Sequence, residues 1–106
     1  MKIGIILETK EPEKSWNAFR FANTSLKHQH VVKFFLMGEA VECEDITEGR
    51  YNTAQEMKKF VDMNGTLLAC GTCLKSRKLE DQTSCSISTM NDCVELVEWA
   101  DKVVTF

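Results

Sequence analysis

The sequence predicts an α/β fold, a three-layer α/β/α sandwich on a mainly parallel sheet of four or five strands. Three observations carry this. Short apolar runs without polar alternation occur near residues 2–8, 31–37 and 66–70, as in strands buried on both faces. Segments with helical spacing of apolar residues lie between them, so strand and helix alternate as in βαβ units. The 106 residues contain no repeat, linker or low-complexity tract, which gives one domain over residues 1–106.

Lys2–Glu8 (KIGIILE) is the first strand. Pro12 then opens a helix where its missing N–H is no loss, and Trp16, Phe19, Ala22, Asn23 and Leu26 extend it to about Lys27. Val31–Met37 (VVKFFLM) is a second buried strand, stopped by Gly38. The acidic stretch GEAVECEDITEGR suggests a long surface connection. A second helix spans about Asn52–Met63, with Ala54, Met57, Phe60 and Val61 on one face and Lys58 and Lys59 on the other. Asn64-Gly65 is a stop and turn. Strand Thr66–Cys70 and a short helix over about Thr72–Lys78 follow. Ser84–Ser88 fits a short strand. Thr89 caps a helix to Ala100, with Asp92 at its third position, and Lys102–Thr105 is the closing strand.

Composition narrows the function. A hydrophobic fraction of 43% with 27% charged residues is that of a globular chain and excludes disorder. The net charge of −3 leaves no basic stripe for phosphates, so no direct nucleic-acid partner is expected. No run approaches the roughly 18 apolar residues of a membrane span, and the N-terminus lacks the features of a signal peptide. A cytoplasmic protein with no membrane partner is therefore expected. Five cysteines, an odd number, argue against a complete disulfide framework.

The chemistry concentrates in TLLACGTCLKSRKL, Thr66 to Leu79. In parallel sheets ligands bind beyond the carboxyl ends of strands. Cys70 ends a strand, Gly71 lets the chain turn, and Cys73 falls in the first turn of the next helix. Helix amides and the cations Lys75, Arg77 and Lys78 are expected to favour thiolate over thiol there. A reactive pair, a metal site and plain packing are the three readings, and the adjacent cations favour the first. Zinc would require Cys70, Cys73, Cys85 and Cys93, yet only one pair has ligand spacing, so no metal is expected. Cys93 shares a helical face with Met90, Val94 and Val97 and is assigned to the core. Cys85 is structural. Acidic neighbours should raise the Cys43 thiol, leaving a structural role or that of a mobile loop thiol that resolves a disulfide. His28 and His30 end a helix, where its dipole accounts for them. Neither a hydrolase triad nor a glycine-rich phosphate loop occurs, and no cofactor is expected.

The first strand, FANTSL, VVKFFLMGEAV, LLACGTCLKSRKL and ISTMNDCVELVEWADKVVTF together resemble the DsrE/DsrF-like family, in order and over the whole chain. The resemblance implies a parallel five-stranded sheet, trimers or hexamers, and a part in intracellular sulfur trafficking. In the sulfur-relay branch, which includes the TusD type of tRNA thiolation, sulfur travels as a persulfide on the cysteine matched by Cys70. Cys73 departs from many relay members, and a Cys70–Cys73 disulfide would block that persulfide.

The expected function is thus a small cytoplasmic sulfur carrier, a sulfurtransferase-type role with protein donors and acceptors as partners. Cys70 accepts sulfane sulfur, Cys73 resolves or tunes it, and Gly71, Thr72, Lys75 and Arg77 shape the binding turn. A dithiol oxidoreductase using Cys70 and Cys73, or an assembly module without catalysis, is the alternative. A homo-oligomer, trimer or hexamer, is also expected from the aromatic residues: Phe21 lies round the helix from Trp16 and Phe19, so one sheet cannot bury both stripes.

Overall fold

A computed structural model describes residues 1–106. The elements are β1 (Lys2–Leu7), α1 (Pro12–Lys27), β2 (Val31–Leu36), a 3-10 helix (Gly38–Asp45), α2 (Thr53–Asp62), β3 (Thr66–Cys70), α3 (Gly71–Ser76), β4 (Ser86–Ser88), α4 (Met90–Trp99) and β5 (Lys102–Thr105). The helix starts are built as the sequence suggests. Pro12 occupies the first turn of α1, and the Glu11 carboxylate accepts the N–H groups of Glu13 and Lys14. Asn52 caps α2 through the Gln55 N–H at 3.1 Å. Thr89 and Asp92 form a reciprocal capping box on α4. Asn64 takes a left-handed φ of 66° at the end of α2.

All five strands are parallel, in the order β4-β3-β2-β1-β5. The chain steps outward from β1 to β4 and then returns past three strands to pair β5 with β1. Parallel neighbours need a crossover, and the side on which each crossover runs sets the two outer layers. One core joins Ile3, Ile5, Leu7, Val32, Phe34, Leu36, Leu67 and Ala69 of the sheet to Phe19 of α1, Met57 and Phe60 of α2, and Leu74 of α3. The opposite face is covered by α4 alone. Its core is four residues, Phe35, Cys70, Cys93 and Leu96, against 18 on the first face. The sandwich is therefore three-layered but lopsided. Gly4 makes the thin layer possible, because a Cβ there would stand 2.5 Å from Leu96 Cδ2 and 3.3 Å from Ala100 Cβ.

Three expectations are corrected. Gly38–Asp45 is a 3-10 helix and not a surface connection, and it buries Ala40, Val41 and Cys43. With about three residues per turn, this helix turns its apolar positions inward while its glutamates stay outside. Cys43 is fully buried and its thiol lies 3.6 Å from the Thr9 carbonyl, so it is no mobile loop thiol. On α4, Cys93 is buried with Leu96, whereas Met90, Val94 and Val97 are exposed. Only one helix covers that face, so its apolar stripe splits between sheet and solvent. Phe21 is also exposed and lies against Phe106 at 5.9 Å between ring centres. No helix is long and apolar enough to cross a membrane.

Burial pushes the Cys43 thiol up to about 12 and the Cys85 thiol up to about 11, from an ordinary 9.0. Below pH 9 both are protonated in the folded and unfolded chain, and stability is flat with respect to them. Between 9 and 12 the unfolded chain has released protons that the fold retains, so stability falls as pH rises. Each thiol contributes a slope of about 1.4 kcal/mol per pH unit inside its window. Urea unfolding from pH 8 to 11 should therefore show a shallower alkaline decline in Cys43→Ala than in wild type. Equal slopes in the two proteins would contradict this assignment.

Candidate functional site

The carboxyl edge of the sheet brings three sulfurs together. Cys70 is the last residue of β3 and the N-cap of α3, with Ser88 of β4 as its strand partner. Cys73 lies one turn into α3. It packs against both cores and is only partly buried. Cys93 comes from the first turn of α4, where it shares the small core with Cys70, Phe35 and Leu96. The chain crosses to the other face directly after Ser88, which sets the start of α4 over the end of β3.

Gly71 and its neighbours close the turn. A Cβ at residue 71 would meet Ile87 Cγ2 at 3.1 Å and the Ser88 carbonyl at 3.3 Å, so glycine here admits the close approach of β4. Thr72 and Lys75 are exposed, and the Lys75 amine makes no hydrogen bond or ion pair. Arg77 is committed elsewhere. Its Nε donates to Glu42 Oε2 at 3.0 Å, and its Nη1 donates to the Cys73 carbonyl at 3.1 Å. That hydrogen bond holds the Glu42 carboxyl below the usual range, with burial opposing it and Lys10 adding to it. Arg77 thus ties the thiol turn to the 3-10 helix.

The electrostatics differ from the expected thiolate trap. The Cys70 side chain makes no capping hydrogen bond to the helix amides. The Cys73 thiol is raised, first by burial and next by hydrogen bonding to the Cys70 thiol; the Gly38 N–H and Arg77 pull it down by less. The Gly38 N–H donates to Cys73 Sγ at 3.2 Å. Burial, and then the neighbouring Cys70, raise Cys93. Packing in a small apolar core outweighs the local cations, because Arg77 is already neutralised by Glu42 and Lys75 extends into solvent.

Gly38 and Cys93 join the site without having been selected from the sequence. Gly38 carries only the signal of a strand end. Cys93 and Leu96, three positions apart, could have marked the buried edge of α4, but Met90, Val94 and Val97 offered a competing apolar stripe. Cys43 and Cys85 lie in the other core, away from this group. The largest groove, about 480 Å³, opens at the amino ends of the strands beside Phe21, His28 and His30, opposite the thiols. No cluster of three or more His, Cys, Asp or Glu side chains has a metal-binding arrangement.

A family model described as DsrE/DsrF-like matches residues 1–106. The chain belongs to the DsrE/DsrF-like family. Two archaeal relatives share its sequence at full or nearly full length. An uncharacterised protein of Methanocaldococcus jannaschii is 30% identical over 115 residues, covering 100% of both chains. An uncharacterised protein of Methanopyrus kandleri is 28% identical over 100 residues, covering 89% of this chain and 83% of its own. Among solved structures, a conserved protein of unknown function from Bacteroides thetaiotaomicron superposes with a TM-score of 0.81 at 15% identity. That match covers 99% of this chain and 94% of the other, and it establishes the shared fold. Membership in the DsrE/DsrF-like family implies a sulfur-relay type of function at the coarse level.

Proposed function

We propose that this DsrE/DsrF-like chain is a cytoplasmic sulfur carrier that accepts sulfane sulfur from a protein donor as a cysteine persulfide and passes it to an acceptor. The observation that carries the reading is the pairing of Cys70 and Cys73 at the carboxyl end of β3, where open parallel sheets bind their ligands. Five unpaired cysteines suit a reducing compartment. A persulfide needs one thiol that can attack a donor and surroundings that shield the product from thiols in solution. The turn offers a partly exposed cysteine beside a buried one. Association with further copies belongs to the same reading, with the exposed Met90, Val94 and Val97 of α4 as the apolar surface available to it.

Native mass spectrometry after incubation with a persulfide donor reads both points in one sample. The expected result is one added sulfur per chain and an assembly heavier than the 12.1 kDa monomer. A specific observation also supports a dithiol oxidoreductase: N-cap and third-position cysteines bring two thiols to one helix start, and the Cys73 thiol is raised in part by hydrogen bonding to Cys70. That reading predicts a loss of two hydrogens in place of a gain of sulfur. No mass change at all would sink the carrier and the oxidoreductase together.

A further inference from the structure

The two thiols of the turn differ in access, and the order is the reverse of their order in the chain. Cys70, the strand-end thiol, is 5% exposed. β4 pairs alongside it, and Cys93, Leu96 and Phe35 cover its face of the sheet. Cys73 is the partly exposed residue of the pair, seated where the two cores meet. It is also the only cysteine sulfur that accepts a backbone N–H, from Gly38 at 3.2 Å. Gly38 has a left-handed φ of 58° as the chain leaves β2 for the 3-10 helix. The Gly38 amide aimed at this sulfur offsets part of the rise that burial and Cys70 impose on the thiol, and a donor protein can attack or be attacked only at a sulfur it can reach.

Resting on the carrier reading, we propose that sulfur lands on Cys73 and is then handed inward to Cys70, which stores it. In the first step the Cys73 thiolate attacks the outer sulfur of a protein persulfide. A bond forms between Cys73 Sγ and that sulfur, the donor's S–S bond breaks, and the donor leaves as a thiolate. In the second step the Cys70 sulfur attacks the same outer sulfur, the Cys73 S–S bond breaks, and the proton lost by Cys70 ends on the Cys73 sulfur. The sulfane atom keeps its oxidation level throughout, so the donor persulfide is the only co-reactant. Stored on Cys70, the persulfide sits among Phe35, Leu96 and Cys93, screened from small thiols in solution. The Gly38 amide holds the landing sulfur while it carries charge.

The test is a time course with glutathione persulfide on the full chain, quenched with an alkylating agent and read by fragment mass spectrometry. In wild type, added sulfur should appear on Cys73 first and accumulate on Cys70 later. Cys70→Ser should lose the later, stored population and carry its added sulfur on Cys73 alone. Cys73→Ser should load more slowly by roughly tenfold or more, since its remaining thiol is buried. The wild-type order needs no substitution, so it stands even if a variant misfolds. Sulfur appearing first on Cys70, or Cys73→Ser loading at the wild-type rate, overturns the proposal while leaving the carrier reading intact. No uptake by wild type removes the carrier reading, and this proposal with it.

Discussion

Phe34→Ala is expected to destabilise the protein by about 4 kcal/mol, the range for removing a fully enclosed aromatic ring. Phe34 stands on β2, between β1 and β3, and is fully buried. Its ring stacks on Phe19 at 4.1 Å with the planes 3° apart, and it meets Phe60 edge-on at 5.8 Å. Phe19 and Phe60 touch in turn at 6.1 Å, so three rings from β2, α1 and α2 form one contact group. Removing the central ring leaves a cavity bounded by side chains that the sheet and two helices hold in place, and complete collapse is blocked. The stacked pair adds roughly 1 kcal/mol beyond its buried area. A domain of this size should lose roughly 20 °C in Tm for such a change. Urea denaturation followed by circular dichroism measures it, and a loss below about 2 kcal/mol would mean that the site repacks, contrary to this account.

Gly4→Val should have its largest effect on the thiol site, although residue 4 touches none of the thiols. The new Cβ would press on Leu96 and Ala100, and the added methyl groups have no space on a strand that α4 approaches so closely. Overpacking of this kind costs about 1–3 kcal/mol. α4 has only Leu96 and Cys93 buried against the sheet, so it is the element that yields. Its displacement uncovers Cys70 and Cys93, whereas Cys43 and Cys85 remain enclosed by the other core. Alkylation of Cys70 and Cys93 in native protein should accelerate by roughly tenfold or more, with Cys43 and Cys85 unchanged. Equal acceleration of all four would indicate global unfolding, and unchanged Cys70 would mean that α4 stays seated; either result rejects the mechanism.

Local signals made most of the architecture legible. The apolar runs of β1, β2 and β3 needed no partner to be recognised, and neither did Pro12 at a helix start or the Thr89–Asp92 cap. These features depend on residues within a turn of one another, where spacing alone dictates the geometry. The Cys70–Cys73 pair belongs to the same class. The 3-10 helix escaped because Glu39, Glu42 and Glu44 dominate a stretch whose buried positions are only Ala40, Val41 and Cys43.

The sequence by itself determined the five strands and the four α-helices, and that two thiols fall at a strand-to-helix turn. Only the tertiary structure decided which of those thiols reaches solvent, and which other groups join them. Cys93 lies beside Cys70 because α4 crosses to the other side of the sheet directly after β4. Arg77 is taken by Glu42, and the Gly38 amide meets Cys73, each across 35 residues of chain. Periodicity tells which side of a helix is apolar. The order of the strands and the path of each crossover decide what that side faces, and those are set by the packing of the whole sheet.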